Sequence, residues 1–443
     1  MIAALAAGLL FATLAAPALA TAARADIVIQ PVTSPGGITA WLYEDHSIPM
    51  LNIEASFRGG AVLDPDGGEG ATTLMAALLG QGAGERDATA FAEARESLAA
   101  RFGFRGSRDS IDVSAQMLTE TRDASLELLR DALGRPRFDA EAFERLRARR
   151  LSSLASDETN PGALAARAFR AAVFPGHPYA RQPEGTEASV AGLDLDSIRA
   201  AHEASLARDR LKVAVVGDIT AEELGPLLDR LFGDLPAAGP DLPPVATVTA
   251  DGGVRLVDLD IPQSVVLFGQ PGIARLDPDF VPASVMDHIL GGGGFGSRLM
   301  HELRERRGLT YGVSTWLAPD DYGWTYMGRF STSNARAAEA LDLVRAEWRR
   351  IAEGGVSEAE LDAAKRYMSG AYPLRFDGNG RIAQQLLGLQ VAGMPIDYVS
   401  RRNGLIEAVT TEDIARVARR LVQPDALTVV VVGRPDGVEG VNH

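Results

Sequence analysis

Apolar residues recur with two different periods along the first half of the chain. Alternation at every second position predicts strands over residues 27–32, 38–45, 51–64, 102–118 and 211–219. Spacings of three and four predict helices over residues 68–84, 88–101, 121–136, 139–157, 162–174, 195–206 and 220–236. The strand residues 102–118 are typical of a hairpin, which implies antiparallel pairing. The pattern predicts an α+β fold in which helices pack on one face of a mostly antiparallel sheet.

The second half of the chain repeats landmarks of the first half in the same order. Ile48-Pro49 and the LDPD of residues 63–66 recur 213 positions later, at Ile261-Pro262 and residues 276–279. Ile198 in DSI and Gly217 in VAVVGD recur 216 positions later, at Ile414 in EDI and Gly433 in VVVVGR. Four ordered matches with a small drift indicate a duplicated unit of about 210 residues.

Two tandem, similar domains therefore divide the chain. We expect the first domain at residues 26–235 and the second at residues 254–443. Residues 236–253 are rich in proline, glycine and alanine, a composition that suits a surface connector.

The charge and the cysteine content exclude several classes of protein. The chain carries a formal charge of -15 and only two lysines, Lys212 and Lys365, and it has no run of basic residues. A nucleic-acid binder needs a basic surface, so we expect no nucleic-acid partner. No cysteine is present, which excludes disulfides and thiolate metal sites.

The amino terminus resembles a secretory signal. Residues 1–20 are apolar and small, and they end in Ala18-Leu19-Ala20, while Ala23-Arg24-Ala25 offers a second A-x-A site. We expect residues 1–25 to be a signal peptide and the mature protein to be periplasmic or secreted. No other run is long and apolar enough to span a bilayer, so no membrane span is expected in the mature chain.

One segment in the second half combines a flexible backbone with polar donors. Residues 291–311, GGGGFGSRLMHELRERRGLTY, predict a glycine loop that leads into a helix ending near Gly308. Arg304 on that helix and Tyr311 after it are able to hydrogen-bond carbonyl oxygens of a bound chain. The alternative for this pair is a solvated charge and a half-buried ring. The candidate substrate-binding residues are Arg304, Tyr311, Gly291, Gly292, Gly293 and Gly294.

The histidines offer no metal site by spacing. The chain has His46, His177, His202, His288, His301 and His443, and no two of them are three or four residues apart. For His177, which precedes a proline in a loop, a structural hydrogen bond is the favoured role. The chain contains neither a G-x-S-x-G elbow nor a P-loop.

The duplication, together with the phrases FPGHPYARQPEGT, VAVVGDIT and LRERRGLTYGVSTW, resembles the M16 family of peptidases across the mature chain. The resemblance implies that Arg304 and Tyr311 match the Arg and Tyr, seven residues apart, that this family carries in its second domain. It also implies that active members bind zinc through an H-x-x-E-H helix and a distal glutamate in the first domain.

The zinc ligands of the family are missing from this chain. The matching helix, GATTLMAAL, has Thr73 and Ala77 at the two histidine positions and Ala76 at the position of the catalytic base. Ser152 or Ser153 stands where the distal glutamate is expected. We therefore expect no metal and no cofactor in this chain.

This combination resembles the branch of the family in which two similar chains pair. The resemblance implies a partner that carries H-x-x-E-H and zinc, while this chain supplies Arg304, Tyr311 and the glycine run. Our leading interpretation is a non-catalytic, substrate-binding subunit of a periplasmic heterodimer that degrades or processes unfolded peptides. Two alternatives stay open: a peptide-binding or scaffold homologue with no role in hydrolysis, and a lone peptidase with an unorthodox metal site.

Overall fold

The computed structural model describes residues 28–442, which form two sheets of six strands each. The first sheet contains β1 (Gln30–Thr33), β2 (Thr39–Glu44), β3 (Met50–Arg58), β4 (Arg101–Gly106), β5 (Ser110–Leu118) and β6 (Leu211–Gly217). The second contains β7 (Val254–Val257), β8 (Gln263–Pro271), β9 (Val313–Asp320), β10 (Gly323–Ser333), β11 (Thr428–Val432) and β12 (Val441–Asn442). We call residues 28–235 the first repeat and residues 254–442 the second repeat.

Helices fill the chain between the strands in both repeats. Those of the first are α1 (Ala71–Leu78), α2 (Ala88–Ser97), α3 (Arg122–Gly134), α4 (Ala140–Asp157), α5 (Pro161–Val173), α6 (Glu187–Gly192), α7 (Leu195–Ser205) and α8 (Ala221–Phe232). Those of the second are α9 (Phe280–Asp287), α10 (Ala337–Gly354), α11 (Glu358–Ala371), α12 (Asn379–Val391), α13 (Tyr398–Glu407) and α14 (Thr411–Leu421). No helix within residues 28–442 combines the length and the hydropathy that a membrane span requires.

Side-chain caps start several of these helices where the sequence places Ser, Thr, Asn or Asp. The Asn160 side chain accepts from the backbone N–H groups of Gly162 and Ala163, and Pro161 occupies the first turn of α5. The prediction that α2 extends to residue 101 is wrong, because the helix ends at Ser97 and Ala99 takes a φ of 52°. That left-handed residue turns the chain into β4.

The two sheets share one topology, which confirms the α+β fold predicted from the repeat. The strand orders are β1-β2-β6-β3-β5-β4 and β12-β7-β11-β8-β10-β9. Pairing is mostly antiparallel, with parallel pairs between β2 and β6 and between β7 and β11. The outermost strands break the symmetry, since β1 lies antiparallel to β2 whereas β12 lies parallel to β7.

Gly217 and Gly433 show the repeat at the level of single residues. Each follows a central strand with nearly the same backbone angle, φ 135° and φ 138°. A Cβ atom at Gly217 would lie 2.1 Å from the carbonyl oxygen of Met50. Glycine is required there because of both this close approach and the positive φ.

Each sheet is also covered on its second face, by a helix of the other repeat. In β11, Val429 and Val431 face the core of the second repeat, while Val430 and Val432 contact α5 of the first repeat, through Phe169 and its neighbours. In β6 the same alternation places Ala214 and Val216 against α12 of the second repeat. The repeats thus exchange one helix each, and strands buried on both faces explain the unbroken apolar runs VAVV and VVVV.

The boundary region between the repeats follows the seam of the molecule. Residues 241–253 contain neither helix nor strand. Their backbone donates to both repeats, from Ala246 to Tyr322 O at 2.6 Å and from Thr249 to Val173 O at 2.9 Å. The domain limits drawn from the sequence stay predictions, and the expected signal peptide, residues 1–25, lies outside the described residues.

Candidate functional site

The glycine segment forms helical turns rather than an open loop. Helix α9 continues into a π-helical turn, His288–Gly292, which is followed by a 3-10 turn, Gly294–Gly296, and a second π-helical turn, Met300–Glu305. The prediction of a loop over all four glycines is therefore wrong for Gly291 and Gly292. The predicted end of the helix near Gly308 is confirmed, because Gly308 has a φ of 59° and donates to Arg304 O.

Three of the four glycines are packed against other atoms. A Cβ atom at Gly291 would lie 2.5 Å from Thr315 Oγ1 in β9, and one at Gly292 would lie 2.4 Å from Asp287 Oδ2. At Gly293 the nearest atom, the carbonyl oxygen of His288, would also be 2.4 Å away. Gly294 differs, since it has a φ of 61° and no atom within 4 Å of that position. Gly291 thus packs against β9, while Gly292 and Gly293 pack against the preceding helical turn, and Gly292 and Gly294 are exposed to solvent.

A buried carboxyl group lies beneath these glycines. Asp287 Oδ1 accepts a 2.6 Å hydrogen bond from Thr315 Oγ1. Burial raises the pKa of Asp287 to about 6, while the Thr315 hydroxyl opposes part of that rise. The same burial raises the pKa of the neighbouring Tyr326 well above its ordinary value.

Most cations on the segment that follows are paired with carboxylates. Arg298 Nε donates to Glu360 Oε1 at 2.6 Å, and the Arg298 Nη2 donates to Glu360 Oε2 at 2.9 Å. Glu302 accepts from Arg306 at 2.9 Å and also from Arg307, while His301 lies 3.0 Å from Glu305. These pairs fix the outer faces of the π-helical turn.

Arg304 is the exception on this segment. Its guanidinium makes no hydrogen bond and no ion pair with any residue among 28–442; it lies 4.6 Å from the centre of the Phe295 ring. Phe295 is itself 66% exposed, beside Gly294. The ring holds the cation through its quadrupole while leaving all five N–H donors unused by the protein.

Tyr311 stands at the tip of the turn that leads into β9. The turn is closed by Thr310, whose hydroxyl donates to Gly312 O at 2.8 Å and accepts from Gly312 N at 3.1 Å. The Tyr311 side chain is 86% exposed. None of the five cavities identified among the described residues is lined by Arg304 or Tyr311. Arg304 is half-buried whereas Tyr311 is exposed, and the expectation that both face one cleft stays a prediction.

The first repeat contains the positions that would hold zinc in an active relative. Thr73 is buried in α1, and its hydroxyl lies 3.2 Å from both Gly70 O and Pro183 O, to which it donates. Ala76 is fully buried against β4, where a Cβ atom at Gly106 would lie 3.3 Å from it. Ala77 is exposed and carries no polar atom.

The residues present do not fit a zinc ion. Ser152 and Ser153 are exposed on α4, whose next residue, Leu154, packs into the core. Among residues 28–442 no group of three or more His, Cys, Asp or Glu side chains is arranged to hold a metal. Ala76 and Ala77 have only methyl groups, and the Thr73 hydroxyl already donates to backbone carbonyls. None of them is an imidazole or carboxylate ligand of the kind that zinc takes in peptidases.

Several residues of the site were not found by sequence reasoning. Phe295 was passed over because an aromatic residue among glycines has no periodicity. Asp287 and Thr315 are 28 positions apart and meet only because β9 packs on the end of α9. His288 stacks on the exposed ring of Tyr367, with 5.1 Å between ring centres, and burial lowers its pKa. No local signal marks such long-range pairs.

Comparisons with known proteins show which proteins this chain resembles. A family model described as the peptidase M16 inactive domain matches residues 192–368. A Helicobacter pylori protein named non-peptidase homolog YmxG is 26% identical over 390 residues, which cover 88% of this chain and 90% of its own length. A Streptomyces coelicolor protein named uncharacterized zinc protease is 26% identical over 364 residues, 79% of this chain and 78% of its own.

Solved structures agree with these matches. The crystal structure of a peptidase M16 inactive domain from Pseudomonas fluorescens superposes with a TM-score of 0.86 at 27% identity, covering 93% of this chain and 99% of that chain. The resemblance expected from the sequence is confirmed by the family model, the relatives and this structure together. The chain is thus similar to the M16 peptidases and lacks their H-x-x-E-H motif, for which the sequence resemblance offers Thr73, Ala76 and Ala77 as the matching positions.

Proposed function

We propose that this chain is the non-catalytic, substrate-binding subunit of a periplasmic M16 zinc peptidase. Its partner is a similar chain that carries H-x-x-E-H and the zinc ion, and the substrates are unfolded peptides. The observation that carries the proposal is the state of Arg304, a cation without a carboxylate on a segment where Arg298, Arg306 and Arg307 all have one.

A half-buried guanidinium without a carboxylate partner is suited to a ligand that arrives from outside. Arg304 has no charge-assisted hydrogen bond to a carboxylate. It has instead a cation–π interaction with the exposed Phe295 ring, which is worth about 0.5–1 kcal/mol at an exposed site. A peptide carbonyl can take the unused donors without first displacing a carboxylate. The arrangement favours binding of main-chain oxygen, which every peptide sequence presents.

The exposure of Tyr311 supports a site completed by a second chain. A phenol that is 86% exposed contributes little to folding, but it can donate to a carbonyl when a partner closes over it. Arg304 and Tyr311 lie on the surface of the second repeat, outside the five identified cavities. A heterodimer would supply the opposite wall of the chamber.

The missing zinc ligands assign the chemistry to that partner. Thr73, Ala76 and Ala77 provide no metal ligand and no general base, so water activation has to come from another polypeptide. In this proposal, Arg304 and Tyr311 bind and orient the peptide carbonyls near the bond that the partner cleaves.

The test is reconstitution with the H-x-x-E-H chain of the same host. Cleavage of an unstructured fluorogenic peptide is measured for the wild type and for Arg304→Gln and Tyr311→Phe, with complex formation followed by size-exclusion chromatography. Arg306→Gln is the matched control, because it removes a cation from the same turn. The carboxylate that pairs with Arg306, Glu302, keeps Arg307 as a partner in this variant.

We expect the three variants to assemble equally and Arg304→Gln to slow cleavage about tenfold to a hundredfold, as loss of a charged hydrogen bond predicts. If Arg304 donates to the developing oxyanion, the loss rises to about a hundredfold to a thousandfold. Cleavage rates equal to that of Arg306→Gln would reject the role of Arg304.

A second candidate function is peptide binding or scaffolding without hydrolysis. It is favoured by the name of the Helicobacter pylori relative, non-peptidase homolog YmxG. Purification of the chain from its native host separates the two. A co-purifying H-x-x-E-H chain with chelator-sensitive peptidase activity supports the heterodimer, and recovery of this chain with other proteins and no such activity supports the scaffold.

A further inference from the structure

A cavity of about 780 Å³ lies on the seam between the two repeats, apart from the segment that carries Arg304. The first repeat contributes Arg58 and Lys212 to its wall, and the second contributes Arg275, Leu276 and Trp324. Its volume falls within the range of small-molecule and short-peptide sites.

Each acidic group of this cavity has a partner, although Oδ1 of Asp109 is buried without a donor. Asp109 accepts from the Tyr179 hydroxyl at 2.8 Å, and Asp320 lies 3.8 Å from Arg108. Asp321 pairs with Arg58 across the seam at 2.5 Å. Asp209 accepts from the backbone N–H of Gly239 at 3.3 Å and lies 3.7 Å from the Nε of Arg210.

Two cations of the cavity are not engaged. The ammonium of Lys212 makes no hydrogen bond or ion pair within the described chain, although the side chain faces the cavity from β6. The guanidinium of Arg275 lies 4.5 Å from the centre of the Phe280 ring and makes no hydrogen bond or ion pair within residues 28–442, and its Nε is buried without an acceptor. Burial lowers the pKa of Arg275, and nearby Arg375 lowers it further.

A further cation without a carboxylate partner lines a neighbouring cavity. A neighbouring cavity of about 550 Å³ shares Asp209, Lys212 and Gln390 with it and adds Arg208. The Nε of Arg208 is also buried without an acceptor. A buried guanidinium donor without a partner is costly, and Arg275 and Arg208 each have one beside this seam.

Apolar side chains complete the wall beside these cations. Leu276 is 65% exposed and Val391 is 42% exposed, although both are large hydrophobic residues, and Leu242 and Trp324 lie in the same wall. The cavity is lined by four basic and four acidic side chains, and it presents two cations without carboxylate partners, Lys212 and Arg275, next to uncovered apolar surface. A ligand that satisfies both has an anionic end and an apolar body.

We infer that this seam cavity binds a carboxylate attached to an apolar group, with Arg275 and Lys212 holding the carboxylate and Leu276 and Val391 contacting the apolar part. Carboxylate is the anion that a guanidinium binds through two parallel hydrogen bonds. Two sources share this chemistry: the free carboxyl terminus of an apolar peptide, and a free aliphatic acid. The site involves neither Arg304 nor Tyr311 and needs no second chain.

Isothermal titration of the purified chain alone tests this inference. The probes are N-acetyl-trileucine with a free carboxylate, the same peptide as its carboxyl-terminal amide, and octanoate. The variants are Arg275→Gln and Lys212→Gln. Arg381→Gln is the matched control, because Arg381 is an exposed arginine of α12 that lines neither cavity.

We expect the free acid to bind at least about tenfold more tightly than the amide, and each site variant to weaken the acid about tenfold without changing the amide. Arg381→Gln should bind like the wild type. Octanoate that binds as well as the peptide acid identifies an aliphatic acid as sufficient, and octanoate that binds much more weakly identifies a peptide terminus.

Equal affinity for acid and amide would overturn the inference, as would absence of binding by every probe up to about 10 mM. If circular dichroism shows that Arg275→Gln does not fold, the exposed Lys212→Gln decides the question. Unchanged affinity of Lys212→Gln for the acid would then reject the site.

Discussion

Substitution of Gly291 by alanine tests whether the glycine run is packed structure. A Cβ atom there would lie 2.5 Å from Thr315 Oγ1, 2.7 Å from Thr315 Cγ2 and 3.1 Å from Leu299 Cδ1. All three separations are shorter than ordinary van der Waals contact, and overpacking of this kind costs about 1–3 kcal/mol. Alanine has a helix propensity up to about 1 kcal/mol more favourable than that of glycine, which offsets part of this cost. We therefore expect a net loss of about 1–2 kcal/mol in unfolding free energy.

Gly296→Ala is the matched control, since no atom lies within 4 Å of a Cβ at that position. We expect it to change the unfolding free energy by less than about 0.5 kcal/mol. Urea denaturation followed by circular dichroism measures both variants. A loss at Gly291 no larger than that at Gly296 would show that the run is a yielding loop and refute the packing argument.

A double-mutant cycle locates the clash. Thr315→Ala alone removes the hydrogen bond to the buried Asp287 and should cost about 1–3 kcal/mol. It also removes the two atoms closest to the new methyl group. We therefore expect Gly291→Ala with Thr315→Ala to be less destabilised than the sum of the single variants by at least about 1 kcal/mol. Additivity would place the strain elsewhere.

Three further predictions address other parts of the molecule. Phe295→Leu should lower cleavage by the reconstituted complex about twofold to fivefold, with no further loss in an Arg304→Gln background, because the ring acts only through the guanidinium. Asp287 has its pKa raised from 3.8 to about 6, so the folded state binds its proton more tightly and stability falls as pH rises through that interval. The unfolding free energy of Asp287→Asn, measured by urea denaturation, should therefore rise by about 2–3 kcal/mol relative to that of the wild type between pH 4 and pH 7. If the difference between the two unfolding free energies does not change with pH, the burial argument is contradicted. Gln390→Leu removes the 2.7 Å hydrogen bond from α12 to Val213 O and should lower the unfolding free energy by about 1–3 kcal/mol. A thermal unfolding midpoint equal to that of the wild type would disprove this.

The repeated fold could be predicted from sequence because its signals are local. Alternation marks β5, whose buried positions fall at every second residue. Ile198 and Ile414 are both fully buried near the start of α7 and α14, as their shared position in the repeat predicts. Gly217 and Gly433 recur because the same turn demands the same backbone angle twice.

The exchange of helices could not be predicted from these signals. An amphipathic helix such as α5 has an apolar stripe, but the stripe does not say which sheet it covers. Its Phe169 packs beneath β11, more than 250 residues along the chain, and only the tertiary structure reveals the partner. The unbroken valine run of β11 indicates from sequence alone that this strand is buried on both faces. It does not identify the helix that covers the second face.

At the candidate site, the sequence suggested candidate residues but not their surroundings. The spacing of Arg304 and Tyr311 drew attention to both, but the missing carboxylate beside Arg304 emerges only when the partners of Arg298, Arg306 and Arg307 are known. The glycine run was misread as a loop, because composition does not show that Thr315 occupies the space beside Gly291.

The central claim is that this chain supplies a peptide-binding cation to a catalytic partner. The most direct measurement is the rate of peptide cleavage by the H-x-x-E-H chain as it is saturated with wild-type chain or with Arg304→Gln. The account predicts activity that rises with wild-type chain and reaches a plateau about tenfold or more lower with the variant. Identical plateaus, or full activity of the partner without this chain, would contradict it.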